Sequence, residues 1–453
     1  GTPITSADIK EAVERVFATD VISGGPTYFL CILTKCNTSG ESPYKGPYAD
    51  KKGLSSIETP DAQTITFKLV KPFADFNYLM QLPGAAPVPA AKDTRDKYAQ
   101  HPVASGPYKI QSYSAGKSLV LVRNTAWDPS TDSVRKALPD KINVVEGLDA
   151  QDEDNRVLAG TLDLELEQTG VQVPTQSKVL RDATLKANSF NSVTGFLRYV
   201  SIQTKVAPFD NVNCRIAVQY AIDKTALQTA RGGPITGGAI ATTLFPPTLA
   251  GYHKFDLYPD GAGNHGNIAQ AKSYLAKCGK PNGFSTVMAT SSKGKGPKDA
   301  VAVQQALAKV GIKVTIDLRS SSTYYSNDIG TPSNVKAKGY GLADAGWGPD
   351  WPAPYGFVES IVDGRAIKSS GNSNYSELND PRVNGAIDAG LAADGTAASV
   401  AAISKLDDYV MQDANIVPFV YDNALNIFSK HLTNVYITKA QGMIDFVNLG
   451  VSG

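Results

Sequence analysis

A helix, a glycine and a strand follow one another between residues 299 and 318. Residues 299–309 have the apolar spacing of an amphipathic helix, Gly311 ends it, and residues 312–318 form a run typical of a strand. Helix, turn and strand in this order are the repeating unit of α/β folds. The segment therefore predicts an α/β protein, since neither an all-helical nor an all-strand chain uses this unit.

Further elements are predicted along the rest of the chain. The first helix is predicted from a capping pattern formed by Thr5 and Asp8. Other helices are predicted at residues 211–223, 267–277, 381–391 and 397–411, and strands at 54–58, 64–70, 108–113, 118–123, 140–145, 196–204, 416–421 and 424–429. At about 150 residues per domain, a chain of 453 residues suggests about three structural units.

The charge balance excludes two classes of partner. The chain has 44 Lys+Arg and 43 Asp+Glu, a net charge of +1. A nucleic-acid binder or a protein of anionic membrane surfaces needs a basic face, so neither is expected. No run approaches the ~20 apolar residues that cross a bilayer.

Cysteine and histidine spacing gives no metal site. The four cysteines include no CxxC pair, and none of the four histidines has zinc-ligand spacing. We expect no metal and no cofactor. An even number of cysteines is typical of an oxidising compartment, although four buried thiols would give the same count.

Six segments share their order with the peptide-binding subfamily of ABC-transporter solute-binding proteins, the dipeptide and oligopeptide receptors. They are GTPITSADIK at residues 1–10, ASGPY at 104–108, LVRN at 121–124, PFDNVNCR at 208–215 followed by AIDK at 221–224, AKVGIKV at 308–314, and GWGPDWP at 346–352. The chain resembles this family, extracellular solute-binding proteins of family 5, over essentially its whole length.

The resemblance implies a two-lobed periplasmic-binding-protein-like α/β fold with an enlarged lobe I. Lobe I is expected at residues 1–200 and 420–453, and lobe II at 201–419, joined by two hinge strands near 199–204 and 418–422. Family members carry a further segment before the position of residue 1, with a signal or lipid anchor and the first strands of lobe I. We therefore expect lobe I to be partial.

The function implied is that of an extracytoplasmic substrate-binding protein of an ABC importer. Such a protein is a monomer that captures oligopeptides by hinge closure and delivers them to a membrane permease. It would be extracellular or periplasmic, held at the membrane by a lipid outside this chain, and would not be an enzyme. The alternatives are an oligosaccharide or nickel-chelate receptor, or a secreted hydrolase using His101 and Ser105, which lack a G-x-S-x-G turn and a third triad member.

The segment around Asp350 is the candidate ligand site. The resemblance implies that Asp350 binds the peptide's N-terminal ammonium; the alternative is an aspartate in a Gly/Pro turn. Trp347 and Trp351 are expected to flank ligand side chains or pack in the core. The backbone around Gly346 and Gly348 is expected to pair with the peptide main chain.

Three further residues match family positions near the ligand. Tyr199 lies on the first hinge strand, while Asn374 and Tyr375 follow the cleft loop of lobe II. The alternative for each of the three residues is a purely structural role, which for Tyr199 is packing against its neighbours.

Two disulfides are predicted. Cys214 and Cys278 belong to helices expected in lobe II, and Cys31 and Cys36 are neighbours in a turn-rich loop. We expect the pairs Cys31–Cys36 and Cys214–Cys278.

Overall fold

The computed structural model describes residues 2–22, 27–37, 40–261, 263–438 and 442–452. The α-helices are α1 Ser6–Arg15, α2 Phe29–Leu33, α3 Phe76–Leu79, α4 Ala150–Ala159, α5 Val173–Arg181, α6 Ala183–Ala187, α7 Val212–Ala221, α8 Lys224–Ala230, α9 Gly233–Thr236, α10 Ile268–Lys277, α11 Gly296–Ala308, α12 Pro332–Lys338, α13 Tyr355–Val362, α14 Pro381–Ala392, α15 Thr396–Ile403 and α16 Leu406–Asp413. A π-helical turn spans Tyr324–Asp328. No helix in these ranges is both long and apolar enough to cross a membrane.

The strands form one large sheet and several small ones. They are β1 Ile57–Asp61, β2 Thr64–Phe67, β3 Tyr108–Ser114, β4 Ser118–Arg123, β5 Lys141–Val145, β6 Ser189–Ile202, β7 Ala239–Ile240, β8 Ser285–Ser291, β9 Lys313–Arg319, β10 Tyr340–Trp347, β11 Ile416–Ile427, β12 Leu432–Thr433 and β13 Gly450–Val451. The large sheet has the order β7-β11-β6-β10-β8-β9, and the small sheets are β1-β2, β3-β4-β5 and β12-β13.

The large sheet confirms the predicted α/β class. Strand β8 is parallel to both β9 and β10, and α11 with its following turn connects β8 to β9. The apolar faces of α7, α10 and α11 pack with the sheet around buried Val200, Phe209 and Leu342. Helices packed on a parallel strand pair are the arrangement that the helix–glycine–strand unit predicted.

Strands β6 and β11 are the long members of the sheet. They pair antiparallel over most of their length, from Ser189 opposite Ile427 to Ser201 opposite Ile416. The resemblance places the two hinge strands within them. The lobe boundaries at residues 200 and 419 stay a prediction.

Two of the predicted segments are divided into elements differently in the structure. Residues 416–427 form one strand rather than two, because a shift in register between Tyr421 and Asn423 takes up the break in the apolar alternation. The helix predicted at 397–411 is divided, with α15 ending at Ile403 and α16 beginning at Leu406.

Local signals correctly located several helix starts. The Thr5 amide donates to Asp8 Oδ2 at 2.7 Å, as the capping pattern predicted. Asn267 caps α10 through Gln270 N. Helix α11 begins three residues before the predicted start, since Pro297 is well suited to a first helical turn.

Both expected disulfide pairs are present. Cys31 and Cys36 are bonded with a Cα–Cα distance of 5.2 Å, and Cys214 and Cys278 with 5.3 Å. The second bond joins α7 to the end of α10, two helices that pack against each other. It therefore links elements that are 64 residues apart in the chain.

We predict that the long-range disulfide contributes more to stability than the local one. Loop closure favours the folded state by about 4 kcal/mol for a separation of 64 residues and about 2 kcal/mol for a separation of 5. Urea unfolding should therefore show a larger loss for Cys214→Ala/Cys278→Ala than for Cys31→Ala/Cys36→Ala. Equal losses would contradict the prediction.

Candidate functional site

A cavity of about 560 Å³ opens beside the end of β10 and the middle of β6. Its walls include segments of both predicted lobes. The lining residues are Glu167, Gln168, Thr169, Thr194, Phe196, Arg198, Tyr325, Ser326, Gly346, Trp347, Glu359, Ser360, Ala366, Lys368, Gly371, Ser373, Tyr375, Asp422 and Met443.

Strand alternation places one wall of the cavity. Phe196 and Arg198 are spaced by two residues on β6, so their side chains leave the strand on one face, and Thr194, before the irregular Gly195, also lines the cavity. The Arg198 guanidinium lies 5.1 Å from the centre of the Phe196 ring. A Cβ on Gly346 would come within 2.7 Å of Arg198, and one on Gly348 within 2.6 Å of Phe196. Both glycines are therefore needed for close packing of this wall.

A buried ion-pair network supports the same wall. Asp422, in the irregular part of β11, accepts from Arg198 Nε at 2.8 Å and from Arg231 Nη2 at 3.0 Å. Arg231 also donates to Asp299 Oδ2 at 2.8 Å. Burial alone would raise the pKa of Asp422, but the two arginines lower it well below its usual range. Asp422 is therefore ionised and fixes Arg198 beside the cavity.

Glu359 and Lys368 form a second charged region of the lining. Glu359 lies on the otherwise apolar helix α13, and burial raises its pKa to about 7, against the effect of Lys368. Burial likewise lowers the pKa of Lys368, against the effect of Glu359. The Ser360 hydroxyl donates to Glu359 Oε2 at 3.0 Å.

Asp350 lies behind this region rather than on the lining. It follows β10, and its amide donates to Gly356 O at 3.0 Å. The Tyr28 hydroxyl donates to Asp350 Oδ2 at 2.5 Å and lies 3.4 Å from the hydroxyl of Ser360, which does line the cavity. Burial raises the pKa of Asp350, while the Tyr28 hydrogen bond opposes the change. In the described ranges Asp350 has no salt bridge.

The structure brings some of the sequence-predicted residues to the cavity and places others in the core. Gly346, Trp347 and Tyr375 line it. Tyr199 and Asn374 are fully buried away from the lining. The Asn374 amide is used by the main chain, donating to Leu378 O at 2.8 Å and accepting from Leu378 N at 3.0 Å.

Trp351 is also enclosed. It is 3% exposed, its Nε1 donates to Asp75 Oδ2 at 2.9 Å, and its ring lies 4.8 Å from the Tyr28 ring. Trp351, in predicted lobe II, therefore contacts residues of predicted lobe I near Asp350. It does not line the cavity.

Sequence reasoning missed the charged lining residues Glu359, Lys368 and Arg198, and also Gln168. One signal was available for Glu359, which is an acidic residue in the apolar run of α13. Arg198 is likewise the one charged residue of β6. Neither signal identifies a partner, since the partners come from distant parts of the chain. His101 and Ser105, the pair considered for a hydrolase, are both exposed and outside the cavity lining.

A two-lobed α/β fold with a cavity lined from both predicted lobes defines the class of periplasmic-type binding proteins. The sequence pattern of the bacterial extracellular solute-binding proteins, family 5 Middle, matches residues 1–369. The chain belongs to this family.

Solved structures and curated relatives agree with this assignment. The clavulanic acid biosynthesis oligopeptide binding protein 2 is similar at 43% identity with a TM-score of 0.89, over 100% of this chain and 81% of that one. The glutathione-binding protein GsiB of Escherichia coli K12 is 25% identical over 402 residues, 86% of this chain and 73% of that protein. OppA of Haemophilus influenzae, solved with the peptide RPPGFSPFR, shares the fold at 18% identity and a TM-score of 0.81, over 100% of this chain and 84% of that one.

We predict that Glu359 makes the ligand-free protein less stable as the pH rises from 4.5 to about 7. Its folded-state pKa of about 7 lies above the ordinary 4.5, so the folded protein keeps a proton that the unfolded chain releases. The stabilising contribution is complete below pH 4.5 and is lost as the pH rises through about 7. Melting temperatures across this range should fall less steeply for Glu359→Gln than for wild type. The exposed Glu58→Gln is the control, and equal slopes for all three proteins would contradict the prediction.

Proposed function

We propose that this protein is the peptide-binding receptor of an ABC importer. The observation that carries the proposal is a free strand edge at the cavity, the part of β10 after Asp344 that has no neighbouring strand on one side among the described residues. The ladder between β10 and β8 ends at Ala343, whereas β10 continues to Trp347 and remains paired with β6 on its other side. Gly346 and Trp347 of this edge line the cavity. An extended peptide is the ligand that such an edge recognises, because main-chain hydrogen bonds do not depend on side-chain identity.

The charges near the strand edge fit a peptide amino terminus. Asp350 and Glu359 are two carboxylates connected through the hydroxyls of Tyr28 and Ser360, and Lys368 is the cation that opposes Glu359. When both acids are ionised, the group has one negative charge in excess. An α-ammonium would balance it, and a buried carboxylate is costly without such a partner.

The relatives support a peptide ligand. One similar structure has oligopeptide binding in its name, and the curated relative is named for glutathione. We extend this to the present chain and propose capture between the lobes bounded at residues 200 and 419, followed by delivery to a membrane permease. In this role the protein acts outside the cytoplasmic membrane as a monomer held by a lipid anchor, and it releases its ligand without chemical change.

An oligosaccharide receptor is less well supported. That function would rely on stacking of sugar rings on Trp347 and Trp351. Trp351 is 3% exposed and already packed against Tyr28, so one of the two platforms is occupied. Native mass spectrometry of the purified protein tests the class of ligand directly, since a retained peptide, sugar or metal chelate differs in mass. A sugar or a chelate would overturn the proposal.

We predict that Asp350→Asn weakens peptide binding by losing the ionic part of the interaction with the ammonium. A hydrogen bond to a charged group contributes about 1.5–3 kcal/mol, so the dissociation constant should rise about tenfold to a hundredfold. An N-acetylated peptide should lose a similar amount with wild type and little more with the variant. Calorimetry on the four combinations measures the coupling.

The exposed Asp140→Asn, which lies outside the cavity lining, is the matched control and should bind as wild type does. Glu359→Gln is the competing assignment in the same cycle. Coupling of acetylation to Glu359 instead of Asp350 would move the ammonium site to α13. Additive losses for both variants would mean that neither carboxylate meets the amine.

A further inference from the structure

We propose that Gln168 Nε2 and Trp347 Nε1 are hydrogen-bond donors for acceptor oxygens of the bound ligand. This proposal rests on the peptide-binding function and adds the chemistry of one part of the site. The inference comes from two buried N–H groups that have no partner in the described ranges, both on residues that line the same cavity.

Gln168 is held in a fixed orientation. It is 3% exposed, and its Oε1 accepts a hydrogen bond from Ile444 N at 2.6 Å. A backbone N–H can only face the oxygen of the amide, so this bond also determines which end of the side chain is nitrogen. Nε2 is therefore the end that lacks a partner.

The backbone of Gln168 is unusual for a residue with a side chain. Its φ is +50°, in the left-handed region that favours glycine, and Gly170 follows with φ +86°. The surrounding structure thus maintains a strained residue and a buried donor without a partner on the cavity wall. Strained residues of this kind cluster at ligand sites.

Trp347 presents the second donor. It ends β10 next to the free strand edge, and its indole Nε1 is buried with no acceptor in the part of the chain that the structure describes. An indole nitrogen is a donor only, so no rotation or protonation change converts it into an acceptor. Trp127 Nε1 is likewise buried with no acceptor among these residues, but Trp127 lies outside the cavity lining.

Two donors without acceptors select for a ligand that brings oxygens. A peptide supplies such oxygens in its main-chain carbonyl groups and in its terminal carboxylate. A purely apolar or cationic group supplies none. Both donors are already shielded from water. A hydrogen bond to a ligand oxygen therefore does not have to replace a bond to water. Arg198 lies on the same lining and favours an acceptor that is negatively charged.

The test is calorimetry with a peptide that binds the wild type. The variants are Trp347→Phe, which keeps an aromatic ring without the N–H, Gln168→Glu, which keeps the acceptor for Ile444 N, and Gln168→Leu, which removes the amide without adding charge. Trp347→Phe and Gln168→Leu should each raise the dissociation constant about three- to tenfold, the effect of one neutral hydrogen bond. Gln168→Glu should raise it further, since its carboxylate repels the ligand oxygen. Trp127→Phe is the matched control and should bind as wild type does, and thermal melts of all variants verify folding.

Modified ligands separate a lost hydrogen bond from a change in packing. The peptide is compared with its C-terminal amide and with analogues carrying one thioamide, a weaker acceptor, at each linkage in turn. If the loss caused by the C-terminal amide is coupled to the loss caused by Trp347→Phe or Gln168→Leu, the donor binds the ligand carboxylate. If the loss caused by one thioamide is coupled instead, the donor binds the main-chain carbonyl at that linkage. Folded variants that bind every ligand as wild type does, or losses that are additive with every modification, would overturn the proposal. A wild type that binds no peptide would instead overturn the proposed function.

Discussion

The binding wall depends on Asp422 holding two arginines at once. The residue lies where β11 shifts register against β6, and it joins Arg198 on β6 to Arg231 after α8. Each partner comes from a different element, so the network connects both long strands to the helical layer. Removal of Asp422 would leave the half-buried Arg198 without its carboxylate partner and the buried Arg231 with Asp299 alone, which is more costly than never having made the pair. The position of Arg198, and with it of Phe196 and Gly346, follows from this interaction.

Arg198 lines the cavity while it is paired with Asp422. The same carboxylate is also paired with Arg231, so it has two cationic partners. Burial and the nearby Asp299 carboxylate raise the pKa of Asp344, which favours its neutral form. This reduces the negative charge beside Arg198. The wall is polar and ordered before any ligand binds, which reduces the entropy lost on binding.

Much of the fold could be predicted from the sequence because local signals determine it. The helix–glycine–strand unit gave the α/β class, and short motifs in order gave the family. The polar residues Asp422 and Asn423 were mistaken for a gap between two strands. They remain in β11, and the register shifts there because β6 carries extra residues between Val193 and Leu197, which the pattern of β11 cannot show. Of the residues expected at the ligand site, Gly346 and Trp347 line the cavity, whereas Trp351 and Asn374 are enclosed. Whether a residue of such a loop faces a cavity or the core depends on distant residues such as Tyr28 and Asp75.

The site combines two kinds of unsatisfied polar group. Asp350 and Glu359 are acids whose pKa values are raised by burial, and Gln168 and Trp347 carry buried N–H groups without acceptors among the described residues. Both kinds lower the stability of the empty protein, since each group has lost water without gaining a full partner. In the proposed complex, a peptide supplies an ammonium for the acids and oxygens for the donors, and its main chain pairs with the free edge of β10. Because one molecule meets all three needs, the features that make the empty cavity costly are also those that make a peptide its best complement.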